Sequence, residues 1–377
     1  MRIDLFKMER AQCLYEKEVE YNLSESGVSP LRVEELLGDR ADPAAFLGTK
    51  LGYPWSNGSP ELRENVASFY EAEPGNVTVT NGSSEAIFIA FWGLLEKGDR
   101  AAIMIPTYMQ TWGLARHFAG RADTYRMVRR RESGEWRWGL DVEGLRRSVT
   151  KRTKVILVTN PNNPTGAVLT EEEMDEVVRI ARKANAWIVA DEVYRGAELA
   201  GGLSPTFWGR YSKVLVVSGL SKAFGLPGLR IGWVTGPPKT VEKLSAYRDY
   251  TTLTPAVLSD RLATIAMEPG RREAILERTR RIVRGQFPRF EEWASAHDDL
   301  LELTPPKAGA IAYMKYKLPI SSTKLFDKLR IEQSVLVTPA DHFGMSGKYI
   351  RIGYGYDMEY TLKGLARISQ TFEELRP

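Results

Sequence analysis

Short apolar runs that alternate with helical segments constrain the fold of this chain more than any other feature. The runs Val77–Thr80, Ala101–Ile105, Lys154–Thr159, Trp187–Ala190 and Val214–Val217 each have the length and composition of a buried strand. Strands that alternate with helices favour a parallel sheet with helices on both faces. Ligands bind such sheets at the carboxyl ends of the strands. The residues that directly follow these runs are therefore the candidates for function.

The composition is that of a large globular protein. Its 377 residues suffice for roughly two or three domains, and 43% hydrophobic and 27% charged residues are ordinary proportions. The formal net charge of +4 is small, and the longest basic run, Arg129–Arg131, gives no case for binding nucleic acid. Cys13 is the single cysteine, so no disulfide within the chain and no metal site are predicted. No apolar segment follows Met1, so we expect a cytoplasmic protein without a membrane span.

A lysine stands in the glycine-punctuated loop that follows the run Val214–Val217. An amine shielded from water, as Lys222 would be there, becomes nucleophilic near neutral pH and can form a Schiff base with an aldehyde. Arg230 follows in the same loop, and Ser218 and Ser221 add hydroxyl groups. A lone lysine is most often a solvated surface charge. A fixed cation and hydroxyls beside it instead describe a cradle for a phosphorylated aldehyde.

Two motifs carry a resemblance to a known family. The stretch Ser218–Gly232 resembles the lysine motif of the class I/II pyridoxal-phosphate (PLP) aminotransferases, the aspartate aminotransferase superfamily. The stretch Asn160–Gly166, with the sequence NPNNPTG, matches the signature of this family without departure. The family usually has a serine three residues before the lysine, where this chain has Gly219, so Ser218 or Ser221 is the candidate for that phosphate hydroxyl.

The resemblance covers roughly residues 20 to 365 and implies an α/β protein of fold type I. That fold has a mainly parallel mixed sheet with helices on both faces and a smaller α+β domain. The strand pattern fades after Thr235, where longer helices rich in arginine begin. We expect a large PLP-binding domain over residues 46–245 and a small domain built from residues 1–45 and 246–377.

Residues that follow different strands are predicted to bind one cofactor together. Tyr108 can stack on a flat heterocycle, and Asp191 can pair with a protonated pyridine nitrogen. Asn163, whose bond to the following proline we expect to be cis, and Tyr194 can donate to O3′ of PLP. Core packing and a capping turn are the alternatives for Tyr108 and Asp191 taken singly. The resemblance assigns all four residues to PLP and assigns the covalent bond to Lys222.

The cofactor phosphate has its own candidates. Ser83 and Ser84 precede an almost wholly apolar helix, and the amino end of such a buried helix attracts anions. Simple capping of the helix by one of these serines is the alternative. The resemblance implies that Ser83, Ser84, Ser221 and Arg230 hold the phosphate. The resemblance also implies a homodimer in which Tyr53 reaches the cofactor phosphate of the neighbouring subunit. Apart from the resemblance, the sequence suggests only that Tyr53 is an ordinary packing residue.

The substrate contacts rest mainly on the resemblance. Arg351 lies in the alternating run Tyr349–Gly355, where arginine usually faces solvent, but its planar fork fits a carboxylate. By resemblance Arg351 binds the substrate α-carboxylate, and Asn163, Ser26 and Gly27 contact the substrate. A capped turn is the alternative for Ser26 and Gly27. No arginine is clearly placed for a second carboxylate.

The predicted function is a PLP-dependent aminotransferase that moves an amino group between an L-amino acid and a 2-oxo acid. Lys222 would also move the proton between Cα and C4′, with Asp191 and Tyr194 tuning the cofactor. The alternative is a PLP-dependent lyase or cyclase on an arginine-like or sulfur-containing amino acid, because the same chemistry serves elimination and cyclisation. A PLP-binding sensor without turnover would not need Lys222. A nicotinamide oxidoreductase is disfavoured, since no GxGxxG motif follows the first strand.

Overall fold

The computed structural model describes residues 3–38, 43–132 and 134–376. The helices are α1 (Lys7–Tyr15), α2 (Val33–Leu37), α3 (Pro43–Leu47), α4 (Pro60–Ser68), α5 (Ser83–Leu94), α6 (Gln110–Phe118), α7 (Val142–Ser148), α8 (Glu171–Ala184), α9 (Pro238–Tyr247), α10 (Val257–Met267), α11 (Pro269–Ser295), α12 (Ser322–Gln333) and α13 (Met358–Glu374). The strands are β1 (Tyr21–Asn22), β2 (Val77–Thr80), β3 (Arg100–Ile105), β4 (Ala122–Glu132), β5 (Glu135–Leu140), β6 (Thr153–Thr159), β7 (Trp187–Asp191), β8 (Val214–Gly219), β9 (Gly232–Thr235), β10 (Leu301–Glu302), β11 (Ile311–Tyr316), β12 (Val335–Leu336), β13 (Thr338–Pro339) and β14 (Tyr349–Gly353). Among the helices of these described ranges, none has both the length and the hydropathy that a membrane span requires.

The large sheet has the strand order β2-β9-β8-β7-β6-β3-β4-β5 within the described residues. The strands from β8 to β4 in this order pair in parallel. The pairings of β2 with β9, β9 with β8 and β4 with β5 are antiparallel. The predicted mainly parallel mixed sheet is therefore confirmed.

Successive residues of the central strands face two different hydrophobic cores. Ile156 and Val158 of β6 pack in one core, to which α4 and α8 contribute side chains. Val155 and Leu157 of the same strand pack in the other core, with side chains of α5 and α6. Because side chains alternate between the faces of a strand, a strand covered on both faces is apolar throughout. This burial explains the continuous apolar runs and places helices on both faces of the sheet.

A smaller antiparallel sheet has the order β10-β11-β14-β13, and β1 pairs in parallel with β12. Leu23 and Val28 share the hydrophobic core of this region with side chains of α11, α12 and α13. The turn-rich segment near residue 22 therefore also supplies a short strand and two core side chains. Met8 and Leu36 instead pack in a core of the large sheet. The predicted domain limits at residues 46 and 246 remain predictions.

Candidate active site

Four predicted site residues follow four neighbouring strands of the large sheet. Lys222 follows β8, Asp191 ends β7, Asn163 follows β6 and Tyr108 follows β3. These strands are adjacent and parallel, so their carboxyl ends lie at one edge of the sheet. All four side chains line one cavity of about 390 Å³. The topology thus brings together residues that are far apart in the chain.

The cavity wall includes further predicted residues, and other predicted residues lie outside it. The further wall residues are Ser83, Ser84, Tyr194, Ser221 and Arg230. Arg351 is buried directly behind Asn163. Ser26 is also buried, and a Cβ built at Gly27 would lie 3.3 Å from the carbonyl oxygen of Ser221. Tyr53 is 87% exposed, so no site within its own chain encloses it.

The loop after β6 fixes Asn163 from two sides. Its neighbour Asn162 is buried and donates from Nδ2 to the carbonyl oxygen of Pro106 at 3.1 Å. The bond between Asn163 and Pro164 is cis, as predicted from the sequence. Nη1 of Arg351 donates to Oδ1 of Asn163 at 2.8 Å. Because Arg351 occupies the amide oxygen, Asn163 can offer its Nδ2–H group to a ligand in the cavity.

Two buried polar groups of the cavity, Asp191 and Tyr194, have few or no hydrogen-bond partners among the described residues. Asp191 is 5% exposed, and its Oδ1 accepts the N–H of Val193 at 3.2 Å. Burial raises the pKa of Asp191 to about 6, although the Val193 N–H and the charge of Lys222 both oppose the rise. Tyr194 is 3% exposed, and its hydroxyl has no hydrogen-bond partner among the described residues. Such groups mark a place where a polar ligand binds.

One end of the cavity is suited to an anion. Helix α5 begins at Ser83, and its first N–H groups have no acceptor within the helix. A Cβ built at Gly82 would lie 2.6 Å from Nη2 of Arg230, so the guanidinium packs against this turn. Nη1 of Arg230 also donates to Oγ of Ser221 at 3.4 Å. The helix terminus, a hydroxyl and a cation together form an arrangement that favours a phosphate.

The two serines that could replace the hydroxyl missing at Gly219 differ in their surroundings. Ser218 is 2% exposed, and its Oγ donates to the carbonyl oxygen of Glu192 at 3.3 Å. Ser221 lines the cavity, whereas Ser218 does not. A Cβ built at Gly219 would lie 2.9 Å from the carbonyl oxygen of Ile231, so a larger residue there would require β8 and β9 to shift. Of these two serines, only Ser221 has its hydroxyl at the cavity, where it could replace the phosphate hydroxyl missing at Gly219.

One wall of the cavity was not found by the sequence analysis. It consists of residues from α1, its carboxyl end and the following segment, namely Glu9, Gln12, Cys13, Glu16 and Glu25. The first four have the spacing i, i+3, i+4 and i+7, which puts them on one face of a helix. This spacing is the signal that could have found them. The hydroxyl of Tyr108 donates to Oε1 of Glu9 at 2.8 Å and joins α1 to the rest of the site.

Comparison with known proteins decides the family. The model of the family "Aminotransferase class I and II" matches residues 31–368. The chain belongs to this family. The family and its structural neighbours are PLP-dependent enzymes, so the predicted class of enzyme and its cofactor are confirmed.

The relatives of this family member include aminotransferases and cyclases. Capreomycidine synthase from Streptomyces vinaceus is 31% identical over 358 residues, which cover 93% of this chain and 89% of the relative. A PLP-dependent aminotransferase from Streptococcus suis has a TM-score of 0.91 and 30% identity, with 100% of both chains covered. The PLP-dependent cyclase OrfR has a TM-score of 0.87 and 25% identity, with 99% of this chain and 98% of the other covered.

The residues of the cavity fit PLP group by group. The α5 terminus with Ser221 and Arg230 matches the phosphate, and the buried carboxylate of Asp191 matches the protonated ring nitrogen. The orphaned hydroxyl of Tyr194 matches the phenolic oxygen of the ring. Lys222 lines the same cavity and provides the amine that the aldehyde requires.

Proposed function

We propose that this enzyme moves an amino group between an L-amino acid and a 2-oxo acid. The supporting observation is that Lys222, Asp191, Asn163 and Tyr194 line one cavity whose donor set fits PLP. When bound, PLP supplies a carbon that takes the amino group and a ring that withdraws electrons from the substrate Cα. The protein residues have to hold the cofactor, tune it and move a proton.

Each of these tasks has a residue in the cavity. Lys222 holds the cofactor, and its amine, once the amino acid has displaced it, takes the proton from the substrate Cα as a general base. Asp191 keeps the ring nitrogen protonated, since a buried carboxylate is stabilised by a cation beside it. Asn163 and Tyr194 donate to the phenolic oxygen and so keep the cofactor electron-poor.

Arg351 is proposed to orient the substrate through its α-carboxylate. It adjoins the cavity through Asn163, and its Nη2 also donates to Oγ1 of Thr338 at 3.2 Å. Its Nε is buried without a hydrogen-bond partner in the described part of the chain. The guanidinium therefore retains a donor, and a carboxylate would relieve the cost of burying its charge.

A PLP-dependent cyclase is the second candidate. The 31% identity with capreomycidine synthase and the TM-score of 0.87 with OrfR support it. Both reactions start when a base removes the Cα proton, so the same Lys222 and Asp191 serve either one. They differ in the fate of the amino group. A transaminase leaves it on the cofactor, whereas a cyclase or lyase returns the cofactor unchanged.

The two candidates are separated by the stoichiometry of the first half-reaction. The purified holoenzyme is mixed with single amino acids without a 2-oxo acid, while the absorbance of the cofactor is recorded and products are identified by mass spectrometry. An aminotransferase converts one equivalent of cofactor to its amino form, and a 2-oxo acid restores the original spectrum. A cyclase or lyase forms many equivalents of product with the spectrum retained. A holoenzyme that converts no amino acid of a broad panel would overturn both assignments.

Lys222→Ala and Lys239→Ala form the matched control pair for this experiment. Lys239 is exposed and lies outside the cavity wall. We expect Lys222→Ala to lose both covalent attachment of the cofactor and turnover. Lys239→Ala should keep both. Mass spectrometry after borohydride reduction reads the attachment independently of activity.

A further inference from the structure

We infer that the substrate of this site is an amino acid with a cationic side chain, held by the carboxylates of Glu9, Glu16 and Glu25. The inference rests on the proposed function, because it assumes that an amino acid occupies the cavity beside the cofactor. It adds the chemical class of the side chain, which neither the fold nor the lysine motif defines.

The first argument is the distribution of charge around the cavity. In the described residues of its wall, the cations are Lys222 and Arg230, and both lie at the end that fits the cofactor. The opposite wall carries Glu9, Glu16 and Glu25 without any cation. An amino acid with a side-chain carboxylate would meet three like charges there. A guanidinium or ammonium group would meet three opposite charges.

The second argument is that these carboxylates have few partners within the chain. Glu25 is half-buried and has no hydrogen bond or ion pair among the described residues. Glu16 forms an ion pair with Lys17 at 3.9 Å, and the side chain of Lys17 is 89% exposed. Glu9 accepts a hydrogen bond from Tyr108 at 2.8 Å. Partly buried carboxylates with so few direct partners favour a cationic ligand.

The third argument is that the three carboxylates act on the same small region. The charges of Glu25 and Glu9 oppose the fall that burial causes in the pKa of Arg351. Burial and the charges of Glu25 and Glu16 raise the pKa of Tyr356 to about 12. Glu25 is therefore close to both the proposed α-carboxylate site and the acidic face of α1. The inference therefore places the α-carboxylate of the substrate toward Arg351 and its side chain toward this wall.

A fourth observation shows that the same cavity is built to receive a ligand. Tyr194 is 3% exposed and lines the cavity, and its hydroxyl is without a partner among the described residues. The acidic wall is thus one side of the cavity that Tyr194 also lines. It is not an isolated patch on the surface.

The test compares amino acids that differ only in side-chain charge. The holoenzyme is titrated with L-arginine and L-citrulline, which have nearly the same shape, and then with L-lysine, L-norleucine and L-glutamate. Dissociation constants come from the change in cofactor absorbance or from calorimetry. We expect arginine or lysine to bind at least about tenfold more tightly than its neutral counterpart, because a hydrogen bond to a charged group is worth that much or more. The preferred cation identifies whether a guanidinium or an ammonium group is recognised.

Two variants connect the preference to the acidic wall. Glu25→Gln should weaken binding of the cationic amino acid about tenfold to a hundredfold relative to binding of the neutral one. Glu18→Gln is the control, because Glu18 is exposed next to the same helix but lies outside the cavity wall. Circular dichroism and the cofactor spectrum report whether the variants fold and retain PLP.

The outcomes separate this inference from the proposed function. If neutral or acidic amino acids bind and react better than cationic ones, the cationic substrate is wrong while the enzyme assignment stands. If cationic amino acids bind with the expected preference but neither react nor change the cofactor, the substrate class stands and the proposed reaction is wrong. The inference is also overturned if Glu25→Gln weakens the binding of arginine and citrulline equally. It is overturned as well if neither arginine nor lysine binds.

Discussion

Nη1 of Arg351 donates to Oδ1 of Asn163 at 2.8 Å, and this bond joins the proposed substrate end of the site to the cofactor end. Arg351 belongs to β14 of the small sheet, whereas Asn163 follows β6 of the large sheet. The bond therefore crosses between the two sheets. A carboxylate that binds Arg351 can alter the position of the Asn163 amide.

Arg351→Lys should weaken binding of the amino acid about tenfold to a hundredfold, because lysine cannot reproduce the guanidinium fork. It should also shift the absorbance of the bound cofactor, since the Asn163 amide loses the donor that orients it. The measurement is a titration of the holoenzyme with amino acid, with kcat and KM determined separately. Thr338→Val is the control, because it removes another acceptor of Arg351 and keeps the bond to Asn163. An equal spectral shift in Thr338→Val would contradict the role of the Asn163 bond.

The close contact of β9 with the turn before α5 supports a second prediction. A Cβ built at Gly232 would lie 2.4 Å from the backbone nitrogen of Ser83 and from the carbonyl carbon of Gly82. Gly232→Ala should therefore lower the free energy of unfolding by about 1–3 kcal/mol and reduce the affinity for PLP, because the proposed phosphate turn has to move. Gly228→Ala is the matched control, since its Cβ would meet nothing within 4 Å. Denaturant unfolding and PLP titration of both variants make the comparison, and similar losses in both would disprove the explanation.

The sequence predicted the large sheet and the four residues at its edge for one physical reason. Central parallel strands are buried on both faces, so their residues are continuously apolar and their ends are easily recognised. Asp191 and Lys222 could then be assigned to one edge without knowledge of any contact. The prolines and glycine after β6 similarly mark a rigid turn that carries Asn163.

The remaining features depend on packing between distant segments. The acidic face of α1 has the composition of a solvated helix face, and it becomes a cavity wall because α1 docks beside Tyr108. Arg351 lies in a strand whose alternation suggested exposure, yet it is 1% exposed because β14 has strand neighbours on both sides and the guanidinium packs over the ring of Phe343 at 5.1 Å. The helical spacing of the α1 residues shows that they share a face, but no local pattern shows that this face lines a cavity or that Arg351 is buried.

The raised pKa of Asp191 predicts how the affinity for PLP depends on pH. In the free protein the carboxyl group titrates at about 6, and only the ionised form can pair with a protonated ring nitrogen. Affinity should fall as the pH drops below about 6, by at most about tenfold per pH unit from this group. The same shift affects the stability of the apoprotein. Because the folded state raises the pKa of Asp191 above its ordinary value, the folded protein gains stability when this carboxyl group is protonated. That stability is fully present below the ordinary pKa and is lost as the pH rises through about 6.

The comparison of wild type with Asp191→Asn isolates this carboxyl group. The variant should bind PLP more weakly at neutral pH, and its affinity should lack the additional decline below about 6. The cofactor phosphate titrates in both experiments, so its contribution cancels in the comparison. Equilibrium titrations of the apoproteins from about pH 5 to 8 measure the difference. Parallel pH profiles for the two proteins would show that Asp191 does not control the binding.

Tyr53 is predicted to act in the site of a neighbouring subunit, and its surroundings in one chain are consistent with this. The Tyr53 side chain is 87% exposed and that of Trp55 is 62% exposed. The base of this segment is nevertheless anchored, because Arg248 donates to the carbonyl oxygen of Ser56 and the N–H of Val79 donates to that of Asn57 at 3.0 Å. An anchored segment with exposed aromatic side chains is suited to reach another chain.

Mixing of inactive variants tests whether Tyr53 crosses between subunits. In a hybrid of Tyr53→Ala and Lys222→Ala subunits, one site would combine an intact Lys222 with an intact Tyr53 of the other chain. If the subunits of an equal mixture reassort at random, about half of the dimers are hybrids, and one of the two sites in each hybrid is intact. The mixture should then have about a quarter of the wild-type activity. A hybrid of Lys222→Ala and Asp191→Asn should stay inactive, because both residues line the cavity of a single chain. If Tyr53 served its own chain, the first mixture would stay inactive as well.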